Sequence, residues 1–139
     1  DFESDLNLTP ALKVKARVTL IRDVEKGIGV GYGHFFKTQR KSKLAVVAIG
    51  YADGVSRALS GKISGSIDGV LVPQVGAIAM DQMVFDITDK PDVKTGQVLT
   101  LLGKDGEVFI SPQNWSDLSG SIPWEVLCSF RNRLPRVVN

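Results

Sequence analysis

The chain has 139 residues, 43% hydrophobic and 23% charged, with a formal net charge of +2. That length suits one soluble domain with its own core, and the near balance of charge argues against a disordered tail or a dedicated nucleic-acid binder. A single cysteine, Cys128, leaves no internal disulfide; with no bilayer-length apolar run and no secretory leader, a reducing cytoplasm is the expectation.

Residues 1–10 are acidic and closed by Pro10, and read as the remnant of a connection from something upstream. The domain proper is expected over residues 11–139. Val14, Ala16, Val18 and Leu20 alternate with Lys13, Lys15, Arg17 and Thr19, the period of a strand with one wet face. Gly27, Gly29, Gly31 and Gly33 follow at every second position, which predicts an extended segment with one bare face that something can approach closely. Leu44–Ile49 reads as a buried strand ending at Gly50. Lys62–Ile67 and Val70–Val75 flank Asp68-Gly69, a pair suited to a type I′ hairpin. Val84–Ile87, Val98–Leu102 and Val108–Ile110 add strands, with a turn expected at Lys104-Asp105-Gly106. Ser111 and Pro112 open a first helix, which places Trp115 and Leu118 on one face and stops at Gly120. Pro123 opens a second, with Val126, Leu127 and Phe130 as its apolar side and Arg131 at its end. Short strands with frequent turns predict an all-β fold, a Greek-key-like β-barrel carrying two short C-terminal helices.

The inventory for chemistry is thin. The glycine run lacks the dinucleotide spacing because position 32 is Tyr, and Gly61-Lys62 is followed by Ile63 rather than Ser or Thr. One His and one Cys cannot build a zinc shell, so no metal site is expected, and His34 alone makes no triad. Two tyrosines stand in unusual places: Tyr32 among glycines, and Tyr51 after a buried strand in Gly50-Tyr51-Ala52-Asp53-Gly54. A tyrosine can act as acid or base when nearby positive charge draws its pKa down, but a buried phenol bonded to backbone has the same local sequence. The pattern leaves both open.

Five blocks in order are more specific: Val30-Gly31-Tyr32-Gly33; Gly50 to Gly54; Val75-Gly76-Ala77-Ile78-Ala79-Met80-Asp81-Gln82; Ile122-Pro123-Trp124-Glu125-Val126; and Arg133-Leu134-Pro135-Arg136. This series resembles the C-terminal domain of the alanine racemases. The resemblance implies a partner region, a TIM-like barrel whose lysine carries pyridoxal 5′-phosphate, and a head-to-tail homodimer in which each C-terminal domain covers the other subunit's barrel. It implies that Tyr32 is the catalytic base on one face of the substrate. It also implies that Tyr51, Arg57, Ile122 and Asp81 line the entry corridor for a small amino acid, and that the Met80 backbone N–H meets the substrate carboxylate. The Trp124 position borders the cofactor phosphate. For Met80 the alternative is core packing, and for Asp53 and Asp81 a turn or cap.

Two residues depart from the family pattern. Trp124 stands where a tyrosine is usual, so an N–H donor on a wider ring replaces a hydroxyl, which bears on the preference between alanine and serine. Ala77 stands where an arginine is frequent. The implied function is interconversion of L- and D-alanine supplying peptidoglycan precursors, with the isolated domain inactive for want of the cofactor lysine. Two other readings compete. A free-standing β-barrel binding module, a nucleic-acid or protein adaptor, would use Tyr32, Tyr51 and Phe35 or Phe36 for stacking. An amino-acid decarboxylase of the same plan would need a catalytic cysteine, and Cys128 lies in the closing helix outside any matching motif.

Overall fold

The computed structural model describes residues 10–138. The connection expected over residues 1–10 therefore lies, except for Pro10, outside the described residues.

Strand β1 (Val14–Val24) begins with the alternation its sequence dictates, Val14 and Val18 being buried. A bulge between Val18 and Leu20 then shifts the phase, so Leu20 turns outward and Ile21 inward. The shift has a structural use. Residues Val14–Arg17 pair with β8 (Val98–Asp105), while Val18–Val24 pair with β4 (Ser42–Val47), so one bent strand serves two neighbours.

Four further strands complete the main sheet: β5 (Ser64–Ile67), β6 (Val70–Val75), β7 (Met83–Asp86) and β9 (Val108–Ile110). The order is β1-β4-β7-β6-β5-β8-β9, and the β1–β8 pairing brings the sheet back on itself in a barrel-like ring. Asp68 and Gly69 both take positive φ between β5 and β6, the type I′ geometry expected of that pair. The last hairpin turns one residue later than expected, on Gly106-Glu107, because Lys104 and Asp105 still pair within β8.

Inside the ring sit Ile49, Ile67, Ile78, Met83, Phe85, Leu99 and Leu101, with Leu59 from the loop after β4. Helices α1 (Pro112–Ser119) and α2 (Pro123–Ser129) add Trp115 and Val126 to that core, and Phe130, just past α2, joins them. Each such side chain contributes about 1.5–3 kcal/mol on burial. Ser111 caps α1 by accepting from Asn114 N–H, Pro112 fills its first position, and Gly120 ends it in the left-handed region. Leu118 and Leu127, expected on the apolar faces, are exposed; Ser116 is buried beside Trp115 instead.

The glycine-rich segment differs most from its sequence reading. Only Gly29–Val30 is extended (β2), pairing with Phe36–Lys37 (β3). Between them Gly31 and Gly33 have positive φ, and Tyr32–His34 forms one 3-10 turn. Gly27 faces open space, but the other three glycines do not leave a bare face. A Cβ at Gly29 would strike His34, one at Gly33 would strike Phe35, and one at Gly31 would press on Ala77. The smallness of these three is spent on packing within the loop and against the loop after β6.

Candidate active-site face

Three loops meet where β2, β4 and β6 end, held together mainly by backbone contacts. Gly76 abuts Val30, since a Cβ there would lie 2.7 Å from the Val30 carbonyl oxygen. Gly50 abuts Ala79 and Met80 in the same way. Tyr51 N–H donates to Ala79 O (3.0 Å) and Ala52 N–H to Met80 O (2.9 Å). Ser60 Oγ donates to Arg57 O (2.7 Å) and accepts from Ile78 N–H (3.0 Å), stitching the Arg57–Leu59 turn to the same loop. At the base of the Tyr32 loop, buried Thr38 donates to Glu25 O and accepts from Ile28 N–H.

On this rigid base the large side chains point to solvent. Tyr32 is 73% exposed, and no described residue hydrogen-bonds its hydroxyl. Phe35 is 86% exposed, and Met80 and Tyr51 are about half exposed. Met80 is thus no core residue, and neither tyrosine is the buried, backbone-bonded phenol that the sequence left open. Asp81 is exposed next to Met80, in a turn closed by Ala79 N–H donating to Gln82 O.

A cleft of about 560 Å³ separates the Tyr51 turn from the two helices, with Ser119, Ser121, Glu125 and Arg131 on its far side. Ile122 and Trp124 flank Ser121 and Glu125 at the start of α2; Trp124 is 70% exposed. A second cleft of about 440 Å³ lies between Phe35, Phe36, Arg57, Gly76 and Ala77. The fold thus joins Tyr32, Tyr51, Met80, Asp81 and Arg57 through abutting loops, and Ile122 and Trp124 are chain neighbours of Ser121 and Glu125, which line the cleft together with Tyr51. Two residues of this region went unread as parts of it: Arg133, which reaches Asp53 (3.0 Å), and Ser129, whose Oγ donates to Gly54 O (2.7 Å). The Arg133-Leu134-Pro135-Arg136 block was the available signal.

The alanine racemase C-terminal domain family matches residues 11–138. The chain belongs to that family. It is 62% identical over 138 residues to the alanine racemase of Prochlorococcus marinus, covering 99% of this chain and 36% of that protein. The fold superposes on the alanine racemase of Oenococcus oeni with a TM-score of 0.89 at 32% identity, over 95% of this chain and 36% of that one. The alanine racemase of Bartonella henselae, solved with covalently bound pyridoxal phosphate, matches with a TM-score of 0.84 at 37% identity, over 90% and 34%. This chain therefore spans about a third of the length of the racemases it matches. No described helix is long and apolar enough to cross a membrane.

The residues of the loop face could touch pyridoxal phosphate but could not bond it covalently. Segments 30–35, 50–57 and 76–82 contain no lysine to bond the cofactor covalently. They offer the exposed side chains of Tyr32, Phe35, Tyr51 and Met80, and Trp124 nearby in α2 adds an N–H donor.

Proposed function

We propose that this chain is the C-terminal domain of an enzyme that interconverts L- and D-alanine in the cytoplasm, providing D-alanine for peptidoglycan. Residues 1–10 continue the connection from a barrel region, and the working enzyme is a head-to-tail homodimer. The observation that carries the reading is the Tyr32 phenol, which projects from a backbone-pinned loop without a hydrogen-bond partner among the described residues. Such a group is held in place for something outside this chain.

Bound pyridoxal phosphate supplies the electron sink that lets an α-proton leave. Racemisation then needs a proton donor and acceptor on each face of the α-carbon, and Tyr32 serves one face, in the partner subunit's site. A lysine of the barrel serves the other. The Met80 backbone N–H receives the substrate carboxylate. Tyr51, Arg57, Asp81 and Ile122 line the path by which a small amino acid enters, and Trp124 donates toward the cofactor phosphate. The clefts on either side of Tyr51 and Arg57 suit a corridor better than a stacking surface, which requires successive aromatic faces along one groove.

The test is α-proton exchange in heavy water by the full-length enzyme with Tyr32→Phe. Because the enantiomers are equal in energy, kcat/KM must fall equally in both directions, by about 10²–10⁴-fold for loss of one acid–base group. Exchange without inversion should persist for the enantiomer whose α-proton faces the other base. Racemisation that continues unchanged in the variant would remove Tyr32 from the mechanism.

A further inference from the structure

Asp53 is the one ionisable side chain among the buried described residues, and both its oxygens are used. Oδ2 accepts from Gly50 N–H (2.9 Å), closing the Gly50–Gly54 turn from within. Oδ1 accepts from Arg133 Nε (3.0 Å), a residue 80 positions further along the chain. The Asp53 side chain is 8% exposed and that of Arg133 57%, so the charge buried in the turn is met by a guanidinium that arrives from the surface. The rest of the tail is folded to deliver it: Arg136 Nη2 donates to Phe130 O (3.0 Å), and Ser129 Oγ ties α2 to Gly54. Tyr51 stands on this same turn, exposed at the mouth of the 560 Å³ cleft, two residues from the carboxylate.

The turn does not need Arg133 to exist. Its own bonds (Asp53 N–H to Gly50 O, Gly54 N–H to Tyr51 O, Val55 N–H to Gly50 O) already form it. What the guanidinium adds is a fixed partner for a carboxylate that burial would otherwise leave half-satisfied and free to rotate. We infer that Asp53 and Arg133 are a positioning pair: through them the C-terminal tail fixes where Tyr51 stands, and so how wide the amino-acid entry path is. The inference rests on the corridor reading of Tyr51 given above. Neither residue touches substrate; both act through the tyrosine.

The experiment uses the full-length, cofactor-loaded racemase carrying this chain, with Arg133→Gln, Arg133→Lys and Asp53→Asn. The expected result for Arg133→Gln is a KM for L-alanine raised about five- to tenfold while kcat changes less than about twofold. The kcat/KM ratio of L-2-aminobutyrate to L-alanine should rise at the same time, and Arg133→Lys should recover most of both effects. A merely architectural role would lower melting temperature and active fraction while leaving KM and the substrate ratio in place. That outcome overturns the inference. Because Arg133 is half exposed, its variants fold even if Asp53→Asn does not. A wild-type enzyme that does not racemise alanine at all would take down the proposed function and this inference together, whereas unchanged KM in an active Arg133→Gln enzyme removes only the latter.

Discussion

The two ends of β6 are built from different residues and differ in which groups they satisfy. At its start, polar groups are satisfied within the chain: Asp105 accepts from Ser66 Oγ (2.7 Å) and Gly69 N–H (2.9 Å), Gln97 donates to Asp68, and Lys90 reaches Asp92. At its far end, past Val75, the backbone is satisfied, in part by the buried Gln74 side chain and by Ser60 Oγ, while the large side chains stay exposed. There Tyr32, Met80 and Phe35 are held out to solvent by loops that press carbonyl against glycine. The difference teaches where function lives in this fold. A hairpin that bonds its own polar groups maintains the ring, whereas a loop end that fixes its backbone and frees its side chains is prepared for a partner.

The sharpest way to break the comparison is to take the phenol from the far end. Tyr32→Phe should cost the full-length enzyme about two to four orders of magnitude in racemisation. Its exposed position means that thermal stability of the domain should not fall with it.

Glycine substitutions sharpen the contrast next. Gly76→Ala puts a Cβ against the Val30 carbonyl at positive φ and should destabilise by about 1–3 kcal/mol, measured by urea unfolding of the full-length protein. Gly69→Ala, at the other end of the same strand, meets nothing nearer than 3.6 Å and should cost only the φ strain, about 1 kcal/mol. Equal losses would mean that the loops are no more tightly joined than an ordinary hairpin.

Trp124→Tyr tests the departure from the family pattern. On the proposed placement of position 124 beside the cofactor phosphate, a hydroxyl there should tighten pyridoxal phosphate retention about tenfold, read by dialysis against a carbonyl trap. No change would detach position 124 from the cofactor.

The smallest effect belongs to the self-satisfied end. The Gly69 N–H and then the Ser66 hydroxyl hold the Asp105 carboxyl below the usual carboxylate range. A depressed carboxyl stabilises the fold above its unfolded pKa, near 4, and that contribution is lost as pH falls through its lower folded value. Asp105→Asn should therefore be destabilised at pH 7 by up to about 1 kcal/mol, with the gap to wild type closing below about pH 4.

Much of the ring was legible because its signals are local. Asp68-Gly69, Ser111-Pro112 and Gly120 each act through the conformation of one or two residues, and the structure uses each as its chemistry dictates. What failed was what depends on tertiary neighbours. The β1 bulge displaced Leu20 because that strand pairs with two partners, and Leu118 and Leu127 lie on helix faces that no strand covers. The alternating glycines spelled an extended stretch, but their crowding against His34, Phe35 and Ala77 is visible only once the loops have met. The site blocks could be named from sequence; the Asp53–Arg133 bond, spanning 80 residues, could not.

The central claim, that the Tyr32 phenol works in a second subunit, is tested most directly by mixing two inactive full-length proteins. One carries Tyr32→Phe; the other lacks the cofactor lysine of the barrel region. In a head-to-tail dimer each hybrid has one site with both groups intact, so random exchange of equal amounts should restore about a quarter of wild-type racemase activity. If hybrids form and activity stays at the level of the two parents, Tyr32 serves its own subunit or none, and the account is wrong.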